Sequence, residues 1–376
     1  MKSKINVSAI ILAAGLSSRM GELKALLDIG EKKAILHLID ESIKAGIDDI
    51  VVVLGYKNEE ISSWINDKKI RCVVNENYVR GMFSSIQKGV QEIDAHSKGF
   101  MIMPVDIPLI KANTIQELAT FFIESRHDII SPFFNNIKGH PPVLSRKCIE
   151  SILEVEPAEG LNSIIDSKDW LTCRYDTLDE GILYEMDTKS QYFKLLDYYN
   201  KAYVPNEKEC REIVKRCNVP SNTILHMKAV ANTACTIGQL LIDYGSEVDL
   251  DLLYAAAALH DIKRSEKDHP LKAHNFLDQL GYREVSDIIL EHMELKDTSR
   301  KRISEKEILY LSDKIVKGNQ VVGLKFRFKE VLENSNSEVR EKAEARYDNA
   351  LQIMNNIEKI IGKSLQNIML LEEKSG

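Results

Sequence analysis

A strand-length apolar run, Ile5 to Leu12, gives way abruptly to small, polar and basic residues: Ala13-Ala14-Gly15-Leu16-Ser17-Ser18-Arg19-Met20-Gly21, with Lys24 just beyond. This stretch restricts the chain more than any other. A mostly apolar run, interrupted here only by Asn6 and Ser8, suits a strand buried on both faces, as in a parallel sheet. The loop after it is a place where backbone N–H groups approach an anion, and Gly15 and Gly21 permit that approach. Arg19 and Lys24 supply the positive charge that a triphosphate needs and that amides alone lack. The pattern is neither a Walker loop, which requires Gly-Lys-Ser/Thr, nor the G-x-G-x-x-G dinucleotide fingerprint. Met1-Lys2-Ser3-Lys4 ahead of an apolar run also suggests a secretory leader, but the run is short and Arg19 and Lys24 follow at loop spacing, so the phosphate loop is the stronger reading.

At 376 residues the chain is long enough for two or three domains, each with its own core. A net charge of −7 leaves no basic stripe for a nucleic-acid backbone, so a small molecule is the expected partner. The six cysteines have neither C-x-x-C spacing nor the density of a disulfide scaffold and are expected to be reduced. No apolar run reaches membrane-spanning length, and the expectation is a soluble cytoplasmic protein with no membrane partner.

From the start to Tyr199, strands expected at Ile47 to Leu54, Ile70 to Val74 and Gly99 to Val105 alternate with helices at Ala34 to Ala45, Glu59 to Asn66 and Ser84 to Ile93. Such alternation predicts an α/β domain over residues 1–199, a mostly parallel sheet with helices on both faces. Residues 200–206, with Pro205, read as a linker, and beyond them strand signals nearly vanish. Helices are expected at Thr223 to Tyr244, Leu250 to Ile262, Leu271 to Leu280, Val285 to His292, Glu305 to Lys317 and Ser337 to Ile361, so residues 207–376 read as an all-α domain.

The strand ending at Met103 runs into Pro104-Val105-Asp106, and a second apolar stretch read as a strand, Gly181 to Met186, ends likewise in Asp187. Ligands of a parallel sheet sit beyond the carboxyl ends of its strands, where two carboxylates can share one Mg2+ with nucleotide phosphates. Leu12-Ala13-Ala14-Gly15, Ser18-Arg19-Met20-Gly21 and Lys24 resemble the nucleotidyltransferases similar to the molybdenum cofactor guanylyl- and cytidylyltransferases. The resemblance implies a Rossmann-like nucleotidyltransferase fold, a nucleotide loop of Leu12, Ala13, Ala14, Gly15 and Lys24, a magnesium ligand at Asp106 and a later acidic position at Asp187. It implies catalytic roles for Arg19, Lys24 and Asp106, base and ribose contacts at Asn75 and Gly81, and an acceptor contact at His140, within Gly139-His140-Pro141. Ala13-Ala14-Gly15, in place of Ala-Gly-Gly, is closer to the cytidylyl branch, so CTP is the favoured nucleotide. The implied acceptor is a phosphorylated small molecule such as molybdopterin, with a molybdoenzyme as a downstream partner.

The second half carries His226, His260-Asp261 after the small-residue run Ala255 to Ala258, and Asp313. Small residues permit close helix packing that brings such segments together, and imidazole with carboxylate suits a divalent metal. The order His…His-Asp…Asp resembles the HD-domain metal-dependent phosphohydrolases, and His269 and His292 match the histidines of members with two metals. The resemblance implies one or two divalent transition-metal or Mg2+ ions on these six residues. His274 is a further candidate ligand, and Lys263 and Arg264 are candidates for holding a substrate phosphate.

The expectation for the whole chain is a bifunctional enzyme: CMP transfer from CTP to a phosphorylated acceptor with release of pyrophosphate, and hydrolysis of a phosphoester. The alternatives are a cytidylyltransferase for a sugar, choline or polyol phosphate, and a nucleotide-sensing protein with one catalytically silent domain.

Overall fold

The computed structural model describes residues 5–17, 20–156, 160–295, 302–365 and 367–368. Arg19 lies outside the described residues. The chain packs as two compact units, Met1–Asn200 and Lys201–Gly376.

The first unit begins with β1 (Ile5–Ala13), a hairpin of β2 (Asp28–Ile29) and β3 (Lys32–Lys33), and α1 (Ala34–Lys44). It continues through β4 (Ile47–Leu54), α2 (Asn58–Ser62), β5 (Ile70–Val74), α3 (Met82–Val90), β6 (Gly99–Pro104) and α4 (Ala112–Glu124). β7 (Ile129–Phe134), β8 (Ile137–Lys138), β9 (Val143–Ser145), α5 (Cys148–Glu154), α6 (Gly160–Ile165) and β10 (Thr172–Asp176) follow, and α7 (Lys189–Lys201) carries the chain to the boundary. The main sheet has the order β10-β7-β9-β6-β1-β4-β5, with β8 added to β7. Its centre is parallel, β1 pairing with both β4 and β6, while β9 runs antiparallel to β6 and β7.

Alternation along β1 explains the helices on both faces. Val7, Ala9, Ile11 and Ala13 share one core with Ile35 and Leu38 of α1 and Ile115 and Leu118 of α4. Ile10 and Leu12 share the other with Phe83 and Ile86 of α3, Ile152 of α5 and Ile164 of α6. A strand sandwiched in this way has no solvent face, and each fully buried branched side chain contributes about 2 kcal/mol. The loop that follows β1 is therefore anchored on a strand held from both sides.

Gly181 to Met186 is not a strand. Glu180–Leu183 forms a 3-10 turn instead, because Asp179 holds the segment on α4: its carboxylate accepts from the backbone N–H of Gly181 at 2.9 Å and of Lys111 at 2.9 Å, and from Thr114 Oγ1 at 2.8 Å. Gly181 presses so closely on Leu109 that a Cβ would sit 2.2 Å from its carbonyl oxygen. Asp187 nevertheless reaches the end of β6, through a Met186 N–H that donates to Asp106 O at 3.0 Å.

Among the described residues the second unit is helical apart from a hairpin of β11 (Val316–Lys317) and β12 (Gln320–Val321). Its helices are α8 (Glu207–Arg216), α9 (Ser221–Asp243), α10 (Leu250–Leu259), α11 (His269–Gln279), α12 (Arg283–Leu290), α13 (Glu305–Ile315), α14 (Leu324–Asn334) and α15 (Ser337–Ile361). α10 is the central packing element, in contact with α8, α9, α12 and α13. Ala255, Ala256 and Ala257 are fully buried, and Gly238 of α9 approaches so near that a Cβ would lie 2.8 Å from Leu253. Small side chains thus bring α9 and α10 together. Among the described residues no helix is long and apolar enough to cross a membrane.

Candidate active sites

In the first unit a cavity of about 400 Å3 opens beyond the carboxyl ends of β1 and β6. Leu12, Ala13, Ala14, Gly15 and Lys24 line it, together with Gly81, Asp106 and Asp187. The loop is held by Ser17: its Oγ accepts from the Lys24 N–H at 3.0 Å, and its carbonyl accepts from Met20 and Gly21 at 3.1 and 3.2 Å. Lys24 Nζ lies between two carboxylates, 3.1 Å from Asp106 Oδ2 and in close contact with Asp187 Oδ1. Burial works against a charged Lys24, but Asp187 and Asp106 outweigh it and raise its pKa, so the ammonium persists at neutral pH. Burial, reinforced by the charges of Asp106 and Asp187, raises the carboxyl of the neighbouring Glu185.

Two hard oxygen donors meeting at one point beside an open cavity fit Mg2+, whose remaining ligands are commonly water and substrate phosphates. Lys24 spans the same carboxylates and carries the charge a phosphate would meet.

Asn75 does not line the cavity. It is buried, its Nδ2 donates to Ser84 Oγ at 2.9 Å and to Ser85 Oγ at 3.0 Å, and its Oδ1 accepts from the Asn77 N–H at 3.0 Å. Asn75 thus ties the end of β5 to the first turn of α3, which presents Gly81, Met82 and Ser85 to the cavity. Asn75→Ala is expected to destabilise the first unit by about 2 kcal/mol through buried polar groups left unpaired. Urea denaturation of the variant measures this, and an unchanged midpoint would contradict the role. His140 also lies outside the lining; its backbone N–H donates to Ile182 O at 3.2 Å, and burial lowers the pKa of its ring, against the pull of Asp106. Leu16, Val79 and Met82 are exposed apolar residues on the cavity wall, and Tyr78 joins them. Tyr78 and Val79 were not singled out from the sequence, because isolated apolar residues outside a regular pattern carry no motif.

In the second unit the six residues come from five helices and their ends: His226 from α9, His260-Asp261 at the end of α10, His269 at the start of α11, His292 just past α12 and Asp313 from α13. His226 Nδ1 lies 2.8 Å from Gly318 O, His260 Nδ1 2.8 Å from Ala257 O and His292 Nδ1 2.7 Å from Ile289 O. A carbonyl partner favours the proton on Nδ1, the arrangement typical of metal-ligating histidines; Nε2 of His260 and His292 has no hydrogen-bond partner, while Nε2 of His226 lies at hydrogen-bond distance from Asp313.

Four Nε2 atoms lie around Asp261. His226 Nε2 is 3.9 Å and His260 Nε2 3.5 Å from its Oδ2, while His269 Nε2 is 3.3 Å and His292 Nε2 3.6 Å from its Oδ1. Asp313 Oδ1 stands on the first side, 3.0 Å from His226 Nε2 and 3.8 Å from His260 Nε2. The ligand atoms form two groups sharing Asp261, one with His226 and His260 and one with His269 and His292. Nε2 of His260, His269 and His292 is buried without a hydrogen-bond partner. Orphaned buried nitrogens of this kind are costly unless a cation takes their lone pairs, so the donor set fits divalent metal. Burial pushes the Asp261 carboxyl up, yet it falls well below the usual carboxylate range wherever the facing imidazoles of His260, His269 and His292 carry a proton on Nε2 in place of a metal. Burial likewise opposes Asp313, and Lys314 leads the groups that keep it low.

His274 stands apart, its Nδ1 3.7 Å from Asp287 Oδ1. Lys263 pairs with Glu266 at 3.4 Å, whereas Arg264 Nη1 donates to Asp261 Oδ2 at 2.6 Å.

Residues 9–172 match the family described as MobA-like NTP transferase domain, and residues 223–317 match the HD domain family. Similar curated proteins include the molybdenum cofactor cytidylyltransferase of Escherichia coli, 25% identical over 52% of this chain and 98% of that protein. The nicotine blue oxidoreductase of Paenarthrobacter nicotinovorans is 26% identical over 50% of this chain and 96% of its own length. A crystal structure from Mycobacterium tuberculosis aligns with 51% of this chain and 97% of its own at 21% identity, with a TM-score of 0.48.

Proposed function

We propose that this chain, which carries a MobA-like NTP transferase domain at residues 9–172 and an HD domain at residues 223–317, is a cytidylyltransferase joined to a metal-dependent phosphohydrolase. The observation that carries the first activity is Lys24 poised between Asp106 and Asp187 in the cavity after β1. In the reaction an oxygen of the acceptor's phosphate attacks the α-phosphorus of CTP in line. The bond from that phosphorus to the bridging oxygen breaks, and pyrophosphate leaves. Lys24 and the loop hold the phosphates; the exposed apolar wall of Leu16, Val79 and Met82 offers a surface for the base. Mg2+ held by Asp106 and Asp187 would supply charge neutralisation on the phosphates. The acceptor phosphate is already anionic near neutral pH, so no general base is required.

The acceptor favoured here is molybdopterin, on the strength of the Escherichia coli relative's name. The relative named as an oxidoreductase raises a different chemistry on the same fold. The paired acids around Lys24 favour phosphate transfer for this chain. Calorimetric titration with CTP and with GTP, each with Mg2+, followed by an assay for pyrophosphate with molybdopterin, tests the reading. Tight CTP binding and acceptor-dependent pyrophosphate support it, preference for GTP moves it to the guanylyl branch, and binding of neither nucleotide ends it.

For the second unit, the shared Asp261 and the four imidazoles support hydrolysis of a phosphoester at one or two divalent ions. His226, His260, His269 and His292 would hold them with Asp261 and Asp313, and the ions would supply Lewis acidity toward a phosphoryl group. Water bonds to phosphorus, the ester P–O bond breaks, and the alcohol leaves with a proton.

A further inference from the structure

Beside the metal cluster lies a second cavity of about 280 Å3, with Asp261, His269 and Asp313 on one wall. α14 and α15, which begin after the HD match ends at residue 317, contribute much of the remaining lining. Two of its cations are committed to the cluster: Arg264 donates to Asp261 Oδ2 at 2.6 Å and Lys314 to Asp313 Oδ2 at 2.7 Å. Two others are not. Arg327 has a buried Nε without a partner, and among the described residues no carboxylate pairs with it. Arg346 has a buried Nε without a partner as well and shares only its Nη2, at 2.6 Å, with Glu294. With two acids, Asp261 and Asp313, against the four cations, the lining carries an excess of positive charge. The rest of its wall is apolar: Phe328 and Val331 from α14, Val339 and Ala343 from α15, and Met293. Val339, Ala343 and Arg346 follow one another at i, i+4 and i+7, so one face of α15 turns both its apolar and its basic residues inward.

We infer that α14 and α15 make the cluster selective for a small phosphate monoester with an apolar or aromatic alcohol portion, Arg327 and Arg346 clamping the phosphate and Val331, Val339 and Phe328 taking the organic group. The inference rests on the phosphohydrolase reading and deepens it. Guanidinium forks match phosphate oxygens, and Arg327, together with the donors of Arg346 that Glu294 does not take, lines the same cavity as the metal ligands, so one phosphate can reach both. Pyrophosphate would leave the apolar wall without anything to cover.

The test uses the full-length protein with its metal content measured by elemental analysis, titrated calorimetrically with inorganic phosphate and with phenylphosphonate, which cannot be hydrolysed. Wild type is expected to bind phenylphosphonate several-fold tighter than phosphate. Arg327→Met and Arg346→Met should each weaken both probes by about tenfold or more while metal content stays unchanged. Val331→Ser should weaken phenylphosphonate alone, by about threefold. Should Arg327→Met fail to fold, Arg327→Lys decides, since it keeps the charge but loses the fork and is expected to bind both probes more weakly than wild type. Unchanged affinity for both probes in the arginine variants, with metal in place, would overturn the clamp and leave the phosphohydrolase reading standing. A wild-type protein that holds no metal and binds neither probe would end both.

Discussion

Lys24→Met is expected to lower acceptor-dependent pyrophosphate release by about 10²–10³-fold, the usual cost of removing one preorganised group that meets charge developing in a transition state. The same substitution should tighten Mg2+ binding in the absence of nucleotide. Lys24 Nζ lies 3.1 Å from Asp106 Oδ2 and closer still to Asp187 Oδ1, so ammonium and metal compete for the same two carboxylates. Removing the ammonium leaves two acids facing each other, which a divalent cation relieves. The two effects have opposite signs, which separates this account from simple disruption of the loop: a disrupted loop loses turnover and metal together. Calorimetry with Mg2+ alone, beside a pyrophosphate assay, reads both. Slower turnover with weaker Mg2+ binding would show that Lys24 supports the carboxylates rather than competing for them. The raised pKa of Lys24 adds a condition: the ion pairs exist in full below the ordinary lysine range and are lost only as pH rises through the higher folded value, so both effects hold across neutral pH.

The architecture of the first unit was readable because β1 is apolar on both faces and the strands near it alternate with helices, a pattern with few folded solutions. Gly181 to Met186 misled for a physical reason. An apolar run bounded by polar residues reads as a strand, and nothing local shows that Asp179 will bind α4 and turn the chain into a 3-10 helix. Asn75 shows a similar limit. The sequence places a polar residue at a strand end near the site, but only the fold shows that its amide is spent on Ser84 and Ser85. In the second unit the histidines and aspartates that the fold brings together stand out in the sequence by their order, since few residue types offer such donors. Arg327 and Arg346 were invisible for the converse reason. A basic residue on a helix is usually solvated, and these two line one cavity only because α14 and α15 pack beside Asp261 and Asp313.

Asp261→Asn is expected to release all the metal from the second unit and to lower phosphoester hydrolysis by more than about a hundredfold, with pyrophosphate release by the first unit unchanged. The size of the effect follows from the position of the carboxylate, whose Oδ2 faces His226 and His260 and whose Oδ1 faces His269 and His292. A neutral amide keeps the shape but removes the charge that both groups of imidazoles share. His292→Ala should behave differently, taking away one ion and leaving the other on His226, His260, Asp261 and Asp313. Elemental analysis of the three proteins therefore distinguishes a bridging carboxylate from two independent sites. If Asp261→Asn kept one ion, the carboxylate would serve only one group and the shared-ligand geometry would be wrong. Thermal unfolding gives a second reading. Metal that binds only the folded state at a hundred times its Kd stabilises by about 2.7 kcal/mol, so a chelator should lower the melting temperature of wild type and leave that of Asp261→Asn where it is.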